Sequence, residues 1–307
     1  MLGQVALDKV VIFGVGLIGG SFALALKQAG AAREIVGMGR SQQALARALE
    51  LGIVDSVGAG VDGIAEAMRG ASLVMVAAPV AQTEAILGSL LPYLEETTIV
   101  TDAGSTKSDV VAAARRALGD RVGQFVPGHP IAGRESNGPD AAIPDLYRGK
   151  KTVITALPEN SAADVERVAA AWAACGAIVH RLTPAEHDKV FAAVSHLPHL
   201  LAFALVDDIA NKPHADLLFQ YAASGFRDFT RIAASSPEMW RDITLANRDA
   251  LLGELDAYLA QLTGLRAMLA NTDGTAIEAV YANAQRARRQ WTGAIESAET
   301  PPPDTAE

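Results

Sequence analysis

The pattern of apolar and polar positions changes character once along the chain. Up to about Pro184, short apolar runs recur between stretches of helical spacing: Val10–Phe13, Glu34–Met38, Ser72–Ala77, Thr98–Thr101, Gln124–Val126 and Thr152–Thr155. Runs of this length, rich in β-branched residues and separated by amphipathic helices, predict βαβ units and a mostly parallel sheet. Beyond Pro184 the strand signal stops. From there to Gln290, Ala and Leu recur at helical spacing with breaks at Lys212-Pro213 and Ser236-Pro237, which predicts an all-helical second part. The end of the chain carries Pro301-Pro302-Pro303 and acids, with little to bury. The expected organisation is an α/β domain over residues 1–183, a helical domain over 184–292 and a disordered tail over 293–307.

The uncharged run VVIFGVGLIGGSFALAL, Val10 to Leu26, admits three readings: a membrane span, a secretory signal or a nucleotide-binding turn. Its length lies at the short edge of what crosses a bilayer, and Gly14, Gly16, Gly19 and Gly20 interrupt it. The leader MLGQVALDK holds one acid and one base, not the basic region a signal needs. A cytoplasmic protein without a membrane segment is expected. The net charge of -9 opposes general affinity for nucleic acid or anionic membranes, and Arg286, Arg288 and Arg289 read as the solvated face of a last helix. Cys175 is the single cysteine, which excludes an internal disulfide and leaves no zinc-ligand pair. No metal is expected.

The remaining reading gains support from context. Gly14-x-Gly16-x-x-Gly19 follows a predicted strand and opens a predicted helix, the setting of a Rossmann dinucleotide fingerprint. The glycines permit a tight turn and close backbone approach to a pyrophosphate. The helix start, including Leu17 and Ile18, offers N–H groups and the positive end of its dipole. The end of the second strand reads Ile35-Val36-Gly37-Met38-Gly39-Arg40-Ser41, without the carboxylate that usually accepts from the ribose 2′-hydroxyl of NAD. A guanidinium beside a small residue suits a 2′-phosphate, so NADP is expected to be preferred and NAD possible, with Arg40 and Ser41 contacting the phosphate.

Three further segments carry specific chemistry: TDAGSTK from Thr101, GHPIAGRE from Gly128 and SHLPH from Ser195. With FRDFTRI from Phe226 and MWRD from Met239, they make the chain resemble the prephenate and arogenate dehydrogenase family of tyrosine biosynthesis, from about Lys9 to Trp291. The resemblance implies a Rossmann domain followed by an all-helical domain that pairs with its twin in a homodimer. It also implies oxidative decarboxylation of prephenate to 4-hydroxyphenylpyruvate, or of arogenate to tyrosine. Such a reaction needs an acceptor for a hydroxyl proton, cations for carboxylates and a dry slot for the ring.

On that resemblance, His129 matches the catalytic histidine that takes the hydroxyl proton, and Ser105 the serine that orients it or the substrate. Ser105 also suits a helix cap near Thr106. Arg231 matches the arginine that binds a substrate carboxylate. His187 and His199 match histidines facing the substrate pocket, while Arg227, Trp240 and Glu135 match supporting pocket residues. Arg134 stands where relatives carry a smaller hydroxyl residue, which leaves the choice between prephenate and arogenate open. His196 suits packing as well as function. The alternatives are another NADP-linked oxidoreductase with a helical second domain, and a non-catalytic NADP-binding sensor.

Overall fold

The computed structural model describes residues 7–58, 60–134 and 136–299, without the side chains of 60–62 and 294–299. Strands β1 (Leu7–Phe13), β2 (Ala32–Met38), β3 (Ser56–Val57), β4 (Leu73–Val76), β5 (Ile99–Asp102) and β6 (Phe125–Val126) form one parallel sheet in the order 3-2-1-4-5-6. Helices α1 (Leu17–Gln28), α2 (Gln42–Glu50), α3 (Gly60–Met68), α4 (Thr83–Leu90) and α5 (Ser108–Leu118) connect them. The last four residues of β1 are buried on both faces: Val10 and Ile12 enter one core with Phe22, Met75 and Trp172, and Val11 and Phe13 enter another with Met68, Val74 and Phe125. Two covered faces explain the continuous apolar strand runs, and the strand order is that of a Rossmann fold, as expected.

A second sheet holds β7 (Gly128–Pro130), β8 (Lys151–Ile154) and, after α6 (Ala162–Ala174), β9 (Ile178–Arg181). The first pair is antiparallel and the second parallel. Neither β7 nor β9 shows an apolar run, and so neither is predicted by the apolar pattern. The polypeptide is helical from there on: α7 (Pro184–Phe191), a π-helical turn over Ala192–His196, α8 (Leu197–Ala210), α9 (Ala215–Gln220), α10 (Ser224–Thr230), α11 (Pro237–Ala246), α12 (Arg248–Ala270) and α13 (Gly274–Glu299).

The chain separates into two compact units, the first running to Leu251 and the second beginning at Leu252. The expected boundary at 183/184 falls inside the first unit. There the Asp188 carboxylate of α7 accepts from the backbone N–H groups of Lys107 and Ser108 at the start of α5, joining helical part to sheet part. The second unit consists of most of α12 followed by α13. Residues 293–299, expected to belong to a disordered tail, lie in α13, whose helical pattern continues past Trp291; residues 300–307 lie outside the described residues.

Candidate active site

The turn after β1 is built for close backbone approach. Gly14 has φ +96°, and a Cβ there would stand 2.4 Å from the Ala77 carbonyl oxygen; at Gly19 it would stand 2.2 Å from the Gly14 carbonyl. At Gly16, by contrast, a Cβ would meet nothing within 4 Å, and no side chain caps α1 at this end. Open space in front of an uncapped helix start fits a diphosphate, which can accept from the first-turn N–H groups of Leu17, Ile18 and Gly19. The helix is fixed from behind: Tyr147 Oη donates to the Ile18 carbonyl at 2.6 Å, and Ser21 Oγ accepts from Ile143 N at 3.0 Å. Just past β2, Arg40 and Ser41 are exposed. The Ser41 hydroxyl also caps α2, accepting from Ala44 N at 3.2 Å.

The second half of the site is a chain of three side chains. His129, on β7, shares a 2.8 Å hydrogen bond between its Nδ1 and His187 Nε2, and His187 Nδ1 lies 2.9 Å from Asp188 Oδ1. Burial pushes the Asp188 carboxyl up, but hydrogen bonds from His187, Ser108 and Lys107 outweigh it and bring the group down to about 2. An ionised Asp188 accepts only, so His187 carries its proton on Nδ1 and accepts at Nε2. His129 then donates from Nδ1 and keeps Nε2 as a free acceptor. Burial, aided by His187, Lys107 and His196, holds His129 well below the usual imidazole range and thus neutral. A neutral imidazole with one unshared acceptor can take a proton from a hydroxyl.

His187 itself is fully buried, which corrects its expected place facing the substrate pocket. Its Nε2 is taken up by His129. Ser105 differs from one expectation as well: α5 begins at Ser108, Lys107 holds the cap position, and the capping carboxylate comes from Asp188, at 2.8 Å from Lys107 N and 2.7 Å from Ser108 N. The Ser105 hydroxyl makes no hydrogen bond among the described residues, so it is available to a ligand. Asn247 closes the group, donating from Nδ2 to the Asp188 carbonyl at 2.8 Å and to His196 Nδ1 at 3.0 Å. His196 is buried, and burial brings it down to about 4, so it is a packing and bonding residue rather than a surface one. Asp102, Lys107, Asp188 and Asn247 are not singled out as site residues by the sequence. Asp102 and Lys107 lie within the TDAGSTK segment and Asp188 stands beside a candidate histidine, whereas Asn247 has no local signal.

Half-buried His199 stacks on Trp240, with ring centroids 3.5 Å apart and 18° between planes. Its Nδ1 donates to the Ser195 carbonyl at 2.9 Å, which leaves Nε2 as the acceptor of the neutral ring. Burial lowers its pKa, and the positive charge of Arg231 adds to the shift, so these two expected residues are electrostatic neighbours. Arg231 begins a short 3-10 turn after α10 and is exposed, as are Arg227 and Arg134. Glu135 lies outside the described residues.

Residues 22–181 match the family model described as prephenate dehydrogenase, nucleotide-binding domain, and residues 183–282 match prephenate dehydrogenase, dimerization domain. The cyclohexadienyl dehydrogenase of Zymomonas mobilis is 34% identical over 281 residues, covering 91% of this chain and 94% of the relative. The prephenate dehydrogenase of Bacillus subtilis is 36% identical over 268 residues, covering 87% of this chain and 71% of the relative. Among solved structures, prephenate dehydrogenase from A. aeolicus, in complex with hydroxyphenyl propionate and NAD+, is similar with a TM-score of 0.85 at 35% identity, covering 93% of this chain and 98% of that one.

Proposed function

The chain belongs to the prephenate dehydrogenase family, and on that premise we propose that it converts prephenate to 4-hydroxyphenylpyruvate by oxidative decarboxylation, with arogenate as the alternative substrate. The observation that carries the reading is the unshared Nε2 of a neutral His129, held in place by His187 and Asp188. A nicotinamide dinucleotide bound at the Gly14–Gly19 turn supplies the hydride acceptor. His129 Nε2 takes the proton of the ring hydroxyl, and the ionised Asp188 stabilises the resulting imidazolium through His187. Ser105 Oγ orients that hydroxyl. Arg231 and His199 hold a substrate carboxylate, and Trp240 keeps His199 in plane.

NADP is the preferred form in this reading, because Arg40 at the end of β2 offers a cation and no carboxylate stands there to repel the 2′-phosphate. The relative named for cyclohexadienyl substrates makes arogenate the competing substrate to measure. The dimerization-domain match supports a homodimer, and the net charge of -9 and the biosynthetic relatives support a cytoplasmic enzyme that binds no nucleic acid. The stretch Pro184–Ala210 is apolar and long enough to cross a membrane by composition, yet it carries His187, Asp188, His196 and His199. Ionisable groups on that scale favour a site-bearing helix.

Steady-state turnover of prephenate and of arogenate, each with NADP and NAD, tests the reading. His129→Asn should lower kcat by about 10²–10⁴-fold, the usual scale of general base catalysis, while nucleotide still binds. Arg40→Ala should erase the NADP preference and leave turnover with NAD intact. Wild-type turnover in His129→Asn overturns the catalytic assignment, and an unchanged NADP preference in Arg40→Ala overturns the cofactor assignment.

A further inference from the structure

The carboxyl end of β5 holds an ion pair with no access to solvent. The Lys107 and Asp102 side chains are 0% and 2% exposed. Lysine in the TDAGSTK segment would ordinarily be taken as a cation for a substrate carboxylate, but at this burial Lys107 touches no ligand. Its partners are internal. Asp102 Oδ1 accepts from Gly128 N at 2.9 Å; Oδ2 accepts from Gly104 N at 2.8 Å and from Lys107 Nζ. Lys107 Nζ also donates to the Gly128 carbonyl at 2.9 Å. Both backbone polar groups of Gly128 are therefore bound by the two members of one buried pair, one residue before His129.

Strand β7 has reason to need this. It is three residues long and has a ladder on one side only, to β8, through Gly128↔Ile154, His129↔Val153 and Pro130↔Thr152. Its other side faces β5, which belongs to the other sheet, and a Cβ on Gly128 would stand 3.1 Å from the Asp102 carbonyl oxygen. No strand-to-strand ladder joins the two across that gap. A buried ion pair adds little net stability, because desolvation offsets most of the attraction, so its presence here calls for another role.

We propose that Asp102 and Lys107 are positioning residues that clamp the Gly128 peptide, standing in for the absent ladder between β5 and β7 and fixing where His129 meets the substrate. The clamp rests on the reading of His129 as proton acceptor. Neither residue touches substrate or takes part in proton transfer. A displacement of His129 by an ångström is enough to lower a rate on the order of 10²-fold.

The test compares Lys107→Met, the double variant Asp102→Leu/Lys107→Met, and Gly128→Ala with wild type, reading melting temperature, nucleotide Kd, KM and kcat. Lys107→Met alone leaves a bare buried carboxylate and loses melting temperature and kcat together. The double variant removes the bare charge and regains melting temperature, yet its kcat stays down on the order of 10²-fold with KM and nucleotide Kd little changed. Recovery of wild-type kcat along with the melting temperature overturns the clamp and makes the pair merely structural. Gly128→Ala keeps both charges and forces β7 off the Asp102 carbonyl by a few tenths of an ångström, so it serves if the double variant fails to fold. A kcat drop at constant KM supports the clamp; wild-type kcat overturns it. His129→Asn separates the two ideas: full turnover there defeats the reading of His129, whereas an inactive His129→Asn beside a fully active double variant defeats only the clamp.

Discussion

At His129 one ring nitrogen is bound to His187 and the other is not, and the whole imidazole is held neutral chiefly by burial, with His187, Lys107 and His196 adding to the effect. The working form of a general base is the unprotonated one. A lowered pKa therefore extends activity downward in pH: kcat/KM should stay level through neutrality and fall only as pH drops through a value well below about 6.5, the ordinary imidazole value. A pH profile of kcat/KM with its acid limb at or above that value contradicts this assignment. His199 works under a different constraint. Its bond to the Ser195 carbonyl and its stack on Trp240 fix the ring, and Arg231 beside it disfavours a second positive charge. At this scale the sequence was informative about residue type, since His129, Ser105, His199, Arg231 and Trp240 were all marked by motif. The tautomers were not legible, because they depend on Asp188, whose partners Lys107 and Ser108 stand 81 and 80 positions away.

Among the elements, α5 is the one whose start is supplied from elsewhere. Asp188→Ala removes the carboxylate that accepts from Lys107 N and Ser108 N, and should cost about 1–2 kcal/mol as a lost cap, seen as a lower melting temperature. The folded carboxyl lies at about 2, below an unfolded value of about 3.9, so its contribution is complete above pH 4 or so and disappears as pH falls toward 2. Melting of wild type and Asp188→Asn across that window checks the sign: the two curves should converge at the acid end, and parallel curves contradict the linkage. Local signals announced some elements clearly. Thr183-Pro184-Ala185-Glu186 forms a full capping box, and the Gly14–Gly19 turn declared α1. Strand β7 gave no such signal. Gly-His-Pro has no apolar alternation, and its register comes from β8 more than twenty residues later together with the Asp102–Lys107 pair. The π-helical turn over Ala192–His196 is equally silent in sequence, being a property of backbone pairing.

Over the whole molecule, burial is uneven. The α/β part buries most of its large apolar side chains, with Leu49, Leu51 and Ile178 exposed, whereas α8 buries only Leu197 and Ala202, and Val194, Leu217, Phe219, Tyr221 and Phe229 stand exposed nearby in sequence. Within the second unit Leu259, Leu262 and Leu269 are exposed too. Apolar surface of this kind marks an interaction site, and with the dimerization-domain match it predicts a particle of twice 32.0 kDa by light scattering. Leu217→Glu should raise the monomer fraction and lower the melting temperature; a wild-type monomer at assay concentration removes the prediction. The π-helical turn has a consequence of another kind. A π turn holds one residue more than the helix around it needs, and each helical residue advances the face by about 100°. Because the turn absorbs that residue locally, the helix beyond it leaves on nearly the face that an unbroken helix one residue shorter would give, so excising a single codon between Ala192 and His196 should remove the bulge and still leave His199 in step with His187 and against Trp240. The surplus amino acid thus adds a local widening beside His196, and a gene losing that codon would still encode the helix that aims His199.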